Sequence, residues 1–291
     1  MTRIFLFLAT NIAIMVVISI VFSLLGISGT LDANGVDLDL NALLVVSAVI
    51  GMSGSFISLA MSKWSAKRGM GVHIIEQPQN QTEQWLIDIV KRQSATAKIG
   101  MPEVGIFDTP DANAFATGMT KNSSLVAVST GLLNSMSQDE VEAVVAHEIS
   151  HVANGDMVTM ALMQGVVNTF VYFFASIIGH IVDRVIFKTE EGHGMGYYIV
   201  QIVAQIALSF LASILTMWFS RHREFKADAG SAKLVGKEKM ISALQALQRA
   251  HEPEELPGQF AAFAINGGGA RKLFMSHPPL EERIAALQNI R

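Results

Sequence analysis

The chain has 291 residues and a formal net charge of −4; only 16% of its residues are Asp, Glu, Lys or Arg, and 51% are hydrophobic. Soluble domains average about 25% charged residues, so this composition excludes a disordered chain and argues against an ordinary water-soluble enzyme. The slightly acidic balance gives no basic footprint for nucleic acid, and with no cysteine any metal site must be built from His and carboxylates.

The charge deficit is concentrated rather than spread. Residues 4–26, 40–62, 157–182 and 194–219 contain no Asp, Glu, Lys or Arg, and each stretch exceeds the ~20 apolar residues that a spanning helix needs. The expected organisation is a membrane hairpin over 1–62, a soluble segment over 63–156, a second hairpin over 157–219 and a second soluble segment over 220–291. The first apolar run is too long for a signal-peptide core and is expected to stay as an uncleaved anchor, with cleavage near Ser28 or Thr30 as the alternative. Lys63, Lys67 and Arg68 follow the second stretch, and Arg221, Arg223 and Lys226 follow the fourth. The positive-inside rule then places both termini and both soluble segments in the cytoplasm. Gln164, Asn168, His180, Gln201 and Gln205 interrupt the third and fourth stretches. We expect them to hydrogen-bond between helices; lining a water-filled cavity is the alternative.

Along the soluble parts, residues 72–75 read as a short strand and 81–98 as a helix with Trp85, Ile89 and Arg92 on one face. Short β-branched and aromatic runs at 104–107 and 125–128 predict strands. Between them lies Asn113-Ala114-Phe115-Ala116-Thr117-Gly118. Ser137 and Glu140 form a capping box, and Val141, Val144, Val145, Ile149 and Val152 follow with a helical period that Asn154-Gly155 ends. A helix is expected to continue from the fourth stretch over 218–235, followed by helices over 237–250 and 279–290. Residues 252–271 carry two prolines and three consecutive glycines and predict a loop.

The capped helix contains His147-Glu148-Ile149-Ser150-His151. Histidines four apart project from one helical face about a turn apart, which suits two bonds to one zinc ion, and the adjacent Glu148 can reach a water on the same metal. A catalytic zinc needs a third protein ligand. Glu224 is one candidate, with Asp228 four residues on to orient a histidine; pairing of Glu224 with Arg221 or Lys226 on a solvated face is equally compatible with the spacing. His222 is a rival ligand on the opposite side of the same helix. Ala227, Ala229, Gly230 and Ala232 are small enough for this helix to approach the His147 helix closely.

His147-Glu148-x-x-His151 followed by Glu224-x-x-x-Asp228 after two apolar stretches resembles the HtpX family of bacterial membrane zinc metalloproteases, and more distantly the CAAX prenyl proteases. The resemblance covers essentially the whole chain. It implies one Zn2+ per chain held by His147, His151 and Glu224, with Asp228 orienting a ligand and Glu148 as general base. Asn113, Ala114, Phe115 and Ala116 resemble the family's substrate-binding edge strand, and Ser276-His277-Pro278 its carboxy-terminal His-Pro motif; Asn113 and His277 become candidates for stabilising substrate or oxyanion. The fold expected is α+β and mainly helical: four transmembrane helices plus a cytoplasmic zincin-like metalloprotease domain with a small β-sheet.

Asp139, Glu140, Glu142 and Asp156 crowd the metal motif. Charges in the bilayer centre cost about 2.5–3.5 kcal/mol each, so the site is expected in water at the cytoplasmic face of the inner membrane. The expected partners are the lipid bilayer and membrane-protein or unfolded polypeptide substrates, as in membrane quality control under stress; the oligomeric state is not legible. Two rivals remain: a transporter whose zinc is cargo or structural, and a prenyl-protein protease, for which four short spans leave little room for an enclosed chamber.

Overall fold

The computed structural model describes residues 38–189, 192–250 and 277–290, with scattered positions between 12 and 36. In chain order its elements are α1 (Leu40–Gly69), β1 (His73–Ile74), α2 (Gln81–Ala97), β2 (Glu103–Phe107), β3 (Ala114–Thr120), β4 (Ser123–Ser129), α3 (Thr130–Ser135), α4 (Gln138–Asn154), α5 (Asp156–Ile181), α6 (Met195–Val235), α7 (Lys237–Ala250) and α8 (Leu280–Gln288). A five-residue π-helical turn, Val182–Ile186, continues α5. The chain is thus mainly helical with one small sheet. The predicted loop over 252–271 lies outside the described residues.

Among the described residues three helices are long and apolar enough to cross a membrane: α1, α5 with its π turn, and α6. The first apolar stretch falls mostly outside the description; its described positions 15–17 and 19–24 are helical. Two of the long helices outrun their apolar stretches. α1 continues to Gly69, where Lys63 and Lys67 both pair with Glu103 of β2. α6 runs for 41 residues without a break, because no Pro or Gly interrupts the passage from apolar stretch to His222-Arg223-Glu224.

The chain divides into two compact units, Met1–Ser58 with Thr159–Thr216, and Leu59–Val158 with Met217–Arg291. In the first, a Cβ on Gly51 of α1 would stand 2.5 Å from the Thr169 nitrogen of α5, so only glycine lets the two backbones meet there. Gln201 donates to Ser176 Oγ at 2.8 Å, joining α6 to α5, and Gln164 donates to Asn168 within α5. These polar groups therefore spend their hydrogen bonds on neighbouring helical side chains.

The second unit holds a four-stranded sheet in the order β1-β2-β4-β3. β2 and β4 are parallel, whereas β1–β2 and β4–β3 are antiparallel, so among the described residues β3 is an edge strand. The sheet and α2, α4, α7 and α8 enclose one apolar core, in which Leu86, Ile89, Val126, Val145, Ile149, Leu244 and Leu287 are almost wholly buried. Of the three residues expected on one face of α2, Ile89 is buried and Trp85 half-buried, while Arg92 reaches sideways to Glu142 of α4. α4 is fixed at both ends. Ser137 and Glu140 cap its start reciprocally, and Gly155, at φ +70°, ends it in the left-handed conformation that glycine adopts without strain.

Candidate active site

α4 buries the side chain of His147 and holds that of His151 nearly as deeply. Their spacing stacks them on one face, with ring centroids 4.6 Å apart and planes at 90°. α6 brings Glu224 to the same point. It can approach so closely because Gly230 lies on Ser150, where a Cβ would meet Oγ at 2.5 Å, and because Ser231 donates to the Ala143 carbonyl at 2.8 Å. The small residues of α6 thus seat one helix directly on the other.

Three acceptors converge. His147 Nε2 and His151 Nε2 are 3.1 Å apart. One Glu224 oxygen lies 3.4 Å from His147 Nε2, and the other lies 3.3 Å from His151 Nε2. Each imidazole has its own carboxylate behind it: Asp228 Oδ1 is 2.9 Å from His147 Nδ1, and Asp156 Oδ2 is 2.7 Å from His151 Nδ1. Those contacts fix a proton on each Nδ1 and aim both Nε2 atoms at the Glu224 carboxylate, where a metal ion would take the place of the Nε2 protons. Glu224 Oε2 is buried and accepts no hydrogen bond, although His277 Nδ1 lies 2.8 Å away. Arg283 Nη1 also lies 3.5 Å from Glu224 Oε2. Metal bonds of about 2.0–2.1 Å in tetrahedral array put ligand atoms about 3.3–3.4 Å apart, close to the separations seen here. His147, His151 and Glu224 therefore fit a metal ion.

The charges respond accordingly. Burial pulls the His151 imidazole down, but Asp156 and Glu224 outweigh it and lift it to about 10. His147 is raised against the same burial by Asp228 and Glu224. Burial opposes ionisation of Glu224, yet its contacts with His147, His151 and His277 hold the carboxyl well below the usual carboxylate range.

The rival ligand His222 is exposed, bonds to the Trp218 carbonyl and stacks on the Trp218 ring, away from the cluster. Glu224 is only 2% exposed and so is no solvated-face residue. Glu148 is partly exposed and, among the described residues, makes no hydrogen bond or ion pair, which leaves its carboxylate available. Asp228 is gripped by Arg283 of α8, with Nε to Oδ2 at 2.8 Å and Nη2 to Oδ1 at 2.6 Å. Sequence reasoning passes over Arg283 and sees Asp156 only as a nearby charge; a carboxylate placed directly after a glycine helix cap is the signal that marks Asp156.

The Asn113 segment forms edge strand β3, which packs against α4. Ala114 and Ala116 face the core, while Phe115 packs on Phe107 with ring centroids 5.4 Å apart. The Asn113 backbone is fixed to Ser129 by two hydrogen bonds of 2.8 and 2.9 Å. Its side chain is exposed and, among the described residues, touches none of the three converging groups.

The family model described as Peptidase family M48 matches residues 80–291, which defines the class as a metalloprotease. A protein named Protease HtpX from Thioalkalivibrio sulfidiphilus is 65% identical over 291 residues, covering 99% of each chain. A Protease HtpX homolog from Nitrosomonas eutropha is 62% identical, over 99% of this chain and 100% of its own. The crystal structure of S. mikatae Ste24p shares the fold at a TM-score of 0.59 and 18% identity, covering 93% of this chain and 66% of that one. The chain belongs to peptidase family M48, among the HtpX proteases. With its three long apolar helices it is a membrane metalloprotease.

Proposed function

We propose that the chain is a zinc-dependent endopeptidase of the bacterial cytoplasmic membrane, with both termini and the active site in the cytoplasm. The observation that carries this reading is the convergence of His147 Nε2, His151 Nε2 and the buried Glu224 carboxylate, with both Nδ1 atoms held by Asp228 and Asp156. A two-histidine, one-carboxylate set is a zinc donor set that leaves a fourth position open. When bound there, zinc lowers the pKa of a water molecule and polarises a carbonyl.

The protein's own groups do the rest. Glu148 is the general base: it takes a proton from the attacking water and returns it to the leaving nitrogen. An extended peptide adds to the free edge of β3 through main-chain hydrogen bonds, so sequence preference is weak and unfolded segments are favoured. Asn113, at the start of that edge, and His277, whose Nδ1 rests near Glu224, are proposed to share the charge that develops on the scissile oxygen. The substrates proposed are misfolded or damaged membrane proteins whose cytoplasmic regions reach the site.

Glu148→Gln separates the readings. The variant should retain zinc and lose casein cleavage; if cleavage persists, Glu148 is not the base, and if a metal-transport activity survives unchanged, the transporter reading replaces the protease. Equal cleavage rates for folded soluble proteins and for membrane substrates would overturn the proposed substrate class.

A further inference from the structure

The first unit contains a second pair of facing imidazoles that the protease reading does not use. His180 sits in the last turn of α5 and His193 just before α6, and their Nε2 atoms are 2.9 Å apart. The rings meet at a centroid distance of 4.8 Å and an angle of 74°. The His147–His151 pair shows nearly the same arrangement, with 3.1 Å between Nε2 atoms, 4.6 Å between centroids and an angle of 90°.

The pair is held in place by its surroundings. His180 Nδ1 donates to the Ser176 carbonyl at 2.7 Å, which leaves Nε2 as the ring's free acceptor. His193 is positioned through the next residue: the buried Asp183 accepts from the Gly194 backbone nitrogen at 2.9 Å and from Thr189 Oγ1 at 3.1 Å. Gly194 lets both side chains close in, since a Cβ would stand 2.8 Å from both Asp183 Oδ1 and Thr189 Oγ1 and would displace them. Tyr197 packs against both rings, with centroids 4.6 Å from His180 and 4.2 Å from His193. The π turn that carries Asp183 is an irregularity often found where a helix serves a site.

We propose that His180 and His193 form a second metal site, which binds Ni2+ or Cu2+ through their two Nε2 atoms, with water completing the coordination. Imidazole suits these ions. An Nε2 separation of 2.9 Å matches adjacent positions of a square-planar or tetragonal site, about 2.8–2.9 Å apart for bonds of about 2.0 Å. Among the described residues the site offers two protein ligands, one fewer than the catalytic cluster, so the ion exchanges more readily. Bound there, it ties His193, just before α6, to the end of α5.

The test uses the full chain in detergent with its catalytic metal in place and Ni2+ as the probe. Equilibrium dialysis should show one more Ni2+ per wild-type chain than per His193→Gln chain, or an affinity for that ion at least about tenfold weaker in the variant. Catalytic metal content and casein cleavage should be the same in both. Equal Ni2+ uptake would overturn the site. Histidine carbethoxylation, mapped on the unmutated chain, decides the case if the variant does not fold. Protection of both His180 and His193 by Ni2+ supports the site; unchanged labelling reduces the pair to two rings sharing one proton.

Discussion

Arg283 and Asp228 form a buried two-bond ion pair, and Asp228 also holds Nδ1 of His147 at 2.9 Å. A residue near the carboxy terminus therefore orients a ligand in α4 through a carboxylate in α6. Both members are about 94–98% removed from solvent, Arg283 at 6% and Asp228 at 2% exposure. Removing one partner of such a pair costs about 3–5 kcal/mol. Arg283→Ala should lower metal affinity by about 10–100-fold, measured by competition with a chelator, and should lower the unfolding midpoint. If metal affinity stays at the wild-type value, the chain of contacts from Arg283 to His147 has no functional weight.

Asp156 plays the equivalent part for His151, but from the first turn of α5. Asp156→Asn keeps the size while removing the charge that holds the proton on Nδ1. Metal affinity should again fall by about 10–100-fold, with a smaller loss of stability than in Arg283→Ala, which strips the buried Asp228 carboxylate of both its guanidinium hydrogen bonds. A chelator titration showing unchanged affinity would remove Asp156 from the site.

Gly230 should not tolerate a side chain. Its Cβ would stand 2.5 Å from Ser150 Oγ and 2.7 Å from Ser150 Cβ, so Gly230→Val must push α6 away from α4. Overpacking of this kind costs about 1–3 kcal/mol. Because the same contact brings Glu224 to the histidines, activity should fall further than stability does. A thermal melt beside a cleavage assay separates the two effects.

Glu140 predicts an acid dependence. Burial pushes its carboxyl up, but hydrogen bonds from Ser137 and Ser242 and the charge of Arg249 outweigh that and leave it below its ordinary value of 4.5. A carboxyl lowered by folding contributes stability that is present above its unfolded pKa and lost as the pH falls through the folded one. Glu140→Gln keeps a residue that can complete the capping box but removes the charge, so it should be less stable than wild type at pH 7. The gap should close in acid below the ordinary carboxylate range. A gap that persists there would assign the effect to packing rather than charge.

His147 and His151 were legible because a 3.6-residue period fixes which side chains share a face, and the caps of α4 were legible because Ser, Glu and Gly act locally. Glu224 was legible only through family resemblance: spacing left it equally compatible with a surface ion pair, and what decides the matter is Gly230 lying on Ser150, a tertiary contact. Arg283 carried no signal, since Leu280-Glu281-Glu282-Arg283 looks like any solvated helix start until α8 is packed. α3 was illegible for another reason: six residues hold fewer than two turns, too few to show a period. The continuity of α6 was legible because nothing in 218–235 stops a helix.

The chain has no cysteine and so can form no disulfide. Its metal ligands come from α4 and α6, with His151 and Glu224 separated by about 70 residues of chain, a loop whose closure is entropically costly. A shared ion would act there as a fastener as well as a reagent, in the role that disulfides fill in secreted proteins, and its binding energy would count towards folding. An enzyme stripped of its metal would lose that fastening and drift towards the kind of loosened chain proposed as its substrate. Metal supply would then govern how much of the protein survives, and not only how much of it is active.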